Sequence, residues 1–484
     1  MAHSMKSRRE LLKLFSAIGA TGAVAPIALN LAAMSSAVAS TASGYRALIY
    51  INLSGGNDTH NTVLATDPTS WQTYMKYRDS TATDGANSIA LAPGALLPIS
   101  VANAAGQNTG RSFALNPNLP NIQGLFAAKK AAVVANIGPM IQPITAAQYK
   151  AGSVPVPPNL FSHNSMTSTW QAFSGEGAQY GWGGHMSDAL MSGNASGIFT
   201  SISANGNSVF LAGNKTTGLE LGSSGLNPIA GLKRNGQAVT SIYPGYGGEA
   251  PDTTSAALNT ILTSGNGSDL FATDVSNLTK TALDAQAQLQ ASLTPAYSAA
   301  TPTGIATPPA NNGLASQLQM VLRVMTSSSS LGVTRQVFYV GMGGFDTHDF
   351  EVLNHTKLMA QLDAAIGYFY TTAQALGISD RFVMFTGSEF GRTFTTNGDG
   401  CDHGWGAHHM VFGDSVKGGD IYGRFPTLGV NNTDNVGSAL LPAISVEQYA
   451  ATFATWMGVS DSSLNDIFPN LPNFNQRNLG FLGA

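Results

Sequence analysis

Charge is what this sequence has least of. Asp, Glu, Lys and Arg make up only 10% of its 484 residues, 27 acidic against 23 basic, for a net charge of −4. A chain without a basic surplus has no electrostatic footprint for a phosphate backbone, which points away from nucleic acid as a partner. There is a single cysteine, Cys401, so no intrachain disulfide can form, and stability has to come from a core or from bound metal. Beyond residue 40 no apolar run is long enough to cross a bilayer. Gly, Ser, Thr, Asn and Ala fill the space instead, giving a surface polar through hydroxyls and amides, a composition associated with secreted proteins.

The N-terminus has its own grammar. Ser7-Arg8-Arg9-Glu10-Leu11-Leu12-Lys13 is followed by a mildly apolar run from Leu14 to about Ala33, and Ala37-Val38-Ala39 offers small residues for cleavage before Ser40. This reads as a twin-arginine signal peptide over residues 1–39, so we expect the twin-arginine translocase as an export partner and a periplasmic or extracellular destination. Gly19, Gly22 and Pro26 interrupt the run and make it a poor permanent span. Losing Lys6, Arg8, Arg9, Lys13 and Glu10 takes four cations and one anion, moving the net charge from −4 to −7.

The remainder, 40–484, is long enough for one large domain with an insertion. Ala47–Leu53 is a short apolar run rich in strand formers and closed by Ser54-Gly55-Gly56. Ala131–Ile137, Gln336–Val340 and Phe382–Phe385 repeat that form. Between the last two, Glu351–Leu376 carries apolar residues at helical spacing, with Leu358, Met359, Leu362, Ile366 and Phe369. Strand, helix, strand predicts an α/β fold with a mostly parallel central sheet flanked by helices, and ligands bind such sheets at the carboxyl ends of the strands. From about Gly213 to Gly313 the texture changes to Gly, Ser, Asn and Thr, with a helix near Thr279–Leu293; this is the expected insertion, a lid or a partner surface. Ser445-Val446-Glu447-Gln448 predicts a capping box opening a helix to about Met457.

Setting His3 aside, eight histidines remain, and most gather in or beside loop motifs with acids: Gly55-Gly56-Asn57-Asp58-Thr59-His60, Phe161-Ser162-His163, Gly344-Phe345-Asp346-Thr347-His348, Ser388-Glu389-Phe390-Gly391-Arg392 and Asp402-His403-Gly404, with His408-His409 close behind. Carboxylates suit hard divalent cations and imidazoles suit zinc, so a mixed set at strand ends predicts one or two divalent ions, zinc or else calcium, magnesium or manganese. Asp and His after a strand also cap helices and close turns, which is the competing reading of each motif taken alone.

In this order, behind a twin-arginine signal, these blocks resemble the bacterial DUF1501 family, a domain of unknown function distantly related to alkaline phosphatases and sulfatases. The resemblance runs from about Ala47 to Gly458 and implies a phosphatase/sulfatase-like α/β fold with metal at the strand ends. It also implies roles. Asp58 resembles the first-strand metal aspartate, and Asp346 and His348 resemble ligands of one metal. Glu389 stands where that superfamily has an Asp-His pair. His403, or else His408, resembles the last histidine ligand, with Asp402 a ligand or the group orienting one. Ser162 takes the nucleophile position, or is a plain helix cap. Arg392 either holds an anionic ester oxygen or pairs with Glu389. His60 and His163 orient ligands or donate protons, His185 and His355 are structural or rim residues, and His409 is the alternate to His408. Cys401, directly before Asp402-His403, is a thiolate ligand or nucleophile or, as the more ordinary reading, a bystander.

Two functions follow as expectations. The first is an exported metal-dependent hydrolase of phosphate or sulfate esters, acting on a small molecule or a polysaccharide. The second is a non-catalytic secreted binding or cell-surface assembly protein that keeps the fold.

Overall fold

The computed structural model describes residues 44–79, 88–102, 108–222, 233–234, 237–238, 264, 269–293, 304–430 and 432–483. The expected signal peptide over residues 1–39 and much of the 213–313 segment lie outside the described residues. The principal elements, in chain order, are β1 (Arg46–Leu53), α1 (Pro68–Arg78), α2 (Pro120–Ala127), β2 (Ala131–Gly138), α3 (His163–Ala172), α4 (Trp182–Leu190), β3 (Ser201–Ser203), β4 (Leu219–Glu220), α5 (Gly313–Thr326), β5 (Arg335–Met342), α6 (Glu351–Ala375), β6 (Phe382–Gly387), β7 (Ala407–Phe412), β8 (Ile421–Tyr422), β9 (Ile444–Ser445) and α7 (Val446–Met457).

A nine-stranded sheet in the order β8-β2-β7-β6-β1-β5-β3-β4, with β9 also on β2, forms the middle layer. β1 pairs in parallel with β5 and β6, Leu48 lying opposite Val337 and Val383. β7 alone runs against its neighbours, antiparallel to both β6 and β2. The central strands are buried on both faces, which is why they read as continuous apolar runs. Alternate residues feed two cores. Ile49, Ile51, Phe338, Val340, Phe382 and Met384 face α2, α5 and α6. Leu48, Tyr50, Val337, Tyr339, Val383 and Phe385 face α4 and α7. This is the expected mostly parallel sheet between helical layers.

Outside the inserted segment, the predicted strands and helices appear within a residue or two. Ser445 and Gln448 form both halves of the capping box, and Phe173 closes α3 in a left-handed conformation. The expectation that misplaces its residues concerns His408 and His409. They lie in β7, not in a loop, because Ala407–Phe412 is a fully buried strand despite its two imidazoles. In the inserted segment a helix spans Leu270–Leu293, beginning earlier than the sequence reading put it, and buries Ala285, Leu289 and Leu293 against the core.

Three adjacent parallel strands, β6, β1 and β5, end together, and the motif loops follow them. Gly55 lets two of those loops touch: its φ is +119°, and a Cβ there would stand 2.4 Å from Asp346 N. The atoms in its way are all backbone, so a methyl group cannot be accommodated by moving a side chain. Gly55→Ala is expected to cost about 2–4 kcal/mol through left-handed strain and overpacking, read as a lowered urea midpoint at unchanged m.

Candidate functional site

Arg392 lies at the centre of these loops with none of its side chain exposed. Its guanidinium donates to Gly56 O at 2.9 Å, Gly55 O at 2.8 Å, Phe345 O at 3.0 Å and Cys401 O at 3.1 Å, and it pairs with Asp346. An arginine bound in this way stitches loops together. It is not the oxyanion clamp of the sequence reading, and its carboxylate partner is Asp346, not Glu389.

Around Asp346, three imidazoles converge, each with Nδ1 held by an oxygen. His163 Nδ1 is 2.9 Å from Glu389 Oε1, His348 Nδ1 is 3.3 Å from Asp402 Oδ1, and His403 Nδ1 is 2.6 Å from Phe161 O. Carboxylates and carbonyls only accept, so each Nδ1 carries the hydrogen and each Nε2 keeps its lone pair. Those lone pairs meet. His403 Nε2 lies 2.9 Å from His348 Nε2 and 3.3 Å from Asp346 Oδ1. His348 Nε2 is 3.2 Å from Asp346 Oδ1, and His163 Nε2, which has no hydrogen-bond partner among the described residues, is 3.4 Å from Asp346 Oδ2. The ligand atoms of His163, Asp346 and His403 fall within 4.8 Å of one another. Arg392 Nη1 lies 3.4 Å from His348 Nε2 while the same guanidinium pairs with Asp346, so a cation of the protein already faces that side of the cluster, and the donor set that fits one metal ion is His163, Asp346 and His403. The His163 pKa is raised, first by its hydrogen bond to Glu389 and then, against burial, by the charges of Glu389 and Asp346.

The other predicted residues divide around this cluster. Glu389 is 4% exposed and also accepts from Gly55 N at 2.8 Å, so it orients His163 and ties the β1 loop. Asp402 faces solvent and orients His348, with Asn397 Nδ2 donating to it at 2.9 Å. Ser162 is the cap residue of α3, yet its side chain makes no cap hydrogen bond, and it directly precedes His163. The neighbouring Phe161 holds a φ of +73°, a conformation that large side chains adopt only when their surroundings enforce it. That strained carbonyl is the one that fixes His403.

His408 is not brought to the cluster. Asn136 N donates to its Nδ1 at 3.0 Å, which forces the proton onto Nε2 and leaves no ring lone pair for a cation. His409 is buried beside Trp170 and Tyr449, and burial pushes its pKa down to about 3. His185, on α4, stacks near Tyr180, away from the loops.

Asp58 belongs to a second cluster, fully buried, with Glu351 and Cys401. Arg78 pairs with its Oδ2, both side chains being completely inaccessible, and His60 N donates to its Oδ1 at 3.0 Å. Burial raises the Asp58 carboxyl, but Arg78 and then His60 and His355 outweigh it and hold the pKa at about 2. Glu351 is pushed well up by burial and by the Asp58 charge, and burial pushes the Cys401 thiol up likewise. One anion and one cation balance. The sequence reading made Asp58 a metal ligand; the structure gives it a guanidinium instead, in a closed interior where a divalent ion would have to displace Arg78. Sequence reasoning passed over Arg78 and Glu351, which sit at helix ends with nothing in their neighbours to announce a buried role.

Fold and cluster define an α/β protein with a His/Asp set at the carboxyl ends of its parallel strands. The chain belongs to the family described as protein of unknown function DUF1501, whose model matches residues 45–468. No curated protein matches it by sequence. Among solved structures it is similar to the PsFucS1 sulfatase from Pseudoalteromonas sp., at 8% identity and a TM-score of 0.33, covering 91% of this chain and 72% of that one. It is also similar to a protein of glycosaminoglycan metabolism in Bacteroides thetaiotaomicron, at 11% and 0.31 over 87% and 74%. The lipoteichoic acid synthase LtaP from Listeria monocytogenes is a third, at 8% and 0.31 over 88% and 74%. Likeness at these scores carries no argument about this chain's chemistry.

The buried pair makes a separate prediction. Arg78→Met leaves Asp58 charged and unpaired in the interior, and is expected to cost about 3–5 kcal/mol near neutral pH. The folded pKa of about 2 lies below the ordinary 3.8, so the pair's contribution is complete above pH 3.8 and fades as pH falls toward 2. Urea titrations of wild type and variant across pH 2–7 should therefore converge at the acid end.

Proposed function

We propose that this chain is an exported hydrolase of phosphate or sulfate esters that works with a single divalent cation. The observation that carries the reading is the set His163, Asp346 and His403, whose ligand atoms lie within 4.8 Å of one another, with His348 Nε2 beside it in contact with Arg392. Imidazole-rich ligation of this kind suits zinc or a similar borderline metal better than calcium or magnesium. When bound, the ion would supply Lewis acidity to an ester oxygen.

The protein's own residues have distinct tasks. Glu389, Asp402 and Phe161 O hold the three rings in the ligating tautomer. Arg392 fixes Asp346 and the loops beneath it. Ser162 is our candidate nucleophile: its hydroxyl caps nothing, and the N-terminus of α3 favours negative charge developing on its oxygen. The phosphorus– or sulfur–oxygen bond to the leaving alcohol breaks as the bond to Ser162 Oγ forms, the serine proton passing to the departing alkoxide. A water molecule then cleaves the Ser162 ester, returning a proton to Oγ and releasing phosphate or sulfate.

A non-catalytic binding or assembly role is the second reading. It is favoured by the engagement of both buried arginines, Arg78 by Asp58 and Arg392 by loop carbonyls and Asp346, so that neither is free to grip an ester anion.

Elemental analysis of the purified protein, with assays on aryl phosphate monoesters, diesters and sulfates, separates the two. The hydrolase reading expects about one zinc-class ion per chain and turnover, with both lost in Asp346→Asn and kcat reduced at least ~100-fold in Ser162→Ala. No bound ion, and no turnover after zinc is added, leaves the binding reading. For export, replacing Arg8 and Arg9 together by Lys should strand the precursor in the cytoplasm, as read by cell fractionation.

A further inference from the structure

Beside the cluster at Asp346 lies a cleft open to solvent. Its walls are Val63, Leu64, Ala65, Pro426 and Leu428, with Thr69, Ser70 and Thr73 of α1 also lining it, and His60 and His408 belong to the same lining. None of the functional residues of the preceding sections that surround Asp346 contributes to it.

The two histidines carry the argument. His408 is 3% exposed and His60 5%. The main-chain amide of Asn136 occupies His408 Nδ1 as donor, so Nε2 bears a hydrogen, and no described residue accepts it. His60 Nε2 lies 3.2 Å from Arg392 O, a carbonyl that can only accept, so this nitrogen donates and Nδ1 keeps a lone pair that no described residue fills. A donor and an acceptor line one cleft, neither with a partner among the described residues and neither sealed from solvent, so both are open to a ligand that enters it. Both rings are neutral at pH 7, since burial pushes the His60 pKa down to about 4 and His408 well below its ordinary value.

No charge is available to a ligand. Arg111, the one formally charged lining residue, has its charge met by Asp67 at 3.5 Å and donates to Phe425 O at 2.7 Å, to Pro426 O at 3.3 Å and to Ser70 Oγ at 2.9 Å. The Tyr74 hydroxyl donates to Asn61 Oδ1 and accepts from Leu91 N, both at 2.7 Å. An ion entering this cleft would lose its hydration and find no counter-charge. A hydroxyl group, in contrast, both accepts and donates, and a hydrocarbon body suits the aliphatic walls.

We propose that this cleft is a binding site for an uncharged small molecule carrying a hydroxyl group, which accepts from His408 Nε2 and donates to His60 Nδ1 while its carbon skeleton lies against Val63, Leu64 and Leu428. The site stands whether or not the chain hydrolyses esters, because it shares no ligand with the cluster at Asp346.

The test uses the whole mature protein and saturation-transfer NMR with cyclohexanol as the probe, cyclohexanecarboxylate as the charged control, and cyclohexane as the control without a hydroxyl. The expected result is transfer to cyclohexanol only. Thr73→Trp, at a half-buried position on α1, should close the mouth and abolish that transfer with circular dichroism unchanged. His408→Phe removes the donor and should weaken cyclohexanol binding ~10-fold; should this variant fail to fold, Thr73→Trp decides alone. No transfer to cyclohexanol in wild type, equal transfer to the carboxylate or to cyclohexane, or transfer undiminished in folded Thr73→Trp would each overturn the proposal.

Discussion

The buried guanidinium of Arg392 is the interaction on which the cluster geometry depends. It reaches the loops after β1 and β5 through the carbonyls of Gly55, Gly56 and Phe345, and the 401 segment through Cys401 O. Each of these carbonyls sits beyond the end of a strand, where no neighbouring strand can satisfy it. A planar cation with five donors can serve several at once, and a lysine ammonium could not match that fork. Because the loops are pinned by main-chain atoms, the positions of Asp346 and Glu389 are set by backbone geometry and not by flexible side-chain contacts. Gly55 and Gly56, both at positive φ, are the local counterpart of this arrangement, since they bring their carbonyls close to the arginine without a Cβ in the way.

The histidines are fixed one step further out. Glu389, Asp402 and Phe161 O each do the same thing, removing the ambiguity of an imidazole by occupying Nδ1. Three unlike acceptors on three different segments give one electronic result, lone pairs pointing inward. His408 and His60 show the opposite outcome from equally specific partners. A main-chain donor on Nδ1 makes His408 a donor at Nε2, and a main-chain acceptor on Nε2 leaves His60 an acceptor at Nδ1. The sequence clusters all these residues, but the partner of the second ring nitrogen decides which of them can take part in ligation.

That distinction explains how much was legible beforehand. The strands β1, β5 and β6 were readable because they are buried on both faces and carry uninterrupted apolar runs. The carboxyl-end location of the motif loops then followed from strand–helix–strand order, and Asp346, His348 and His403 do meet there. Asp58 and His408 came from the same motif logic and meet other partners. Their fates are set by Arg78, 20 residues further along on α1, and by the amide of Asn136 on β2. Long-range pairs of this kind leave no local pattern, and a main-chain donor leaves none at all. β7 was missed for a related reason: its two imidazoles break the apolar run, and each is tolerated inside by a different local arrangement.

The scarcity of charge in this chain makes its placement informative. Arg78 and Arg392 are among the largest fully buried side chains of the described residues, and each is neutralised by an aspartate from a motif loop. Asp58 and Asp346 are thus chemically alike at the level of sequence and unlike in surroundings. The first is sealed, with its cation supplied by the protein and a protonation range pushed to the acid extreme. The second keeps nearly half of its side-chain surface exposed and faces three imidazole lone pairs. Arg392 satisfies one oxygen of Asp346 from below without closing the outer side. A sealed aspartate contributes to holding the fold, and an open one retains the capacity to engage something from solvent, so the difference in burial, more than the motif itself, assigns the two residues their roles.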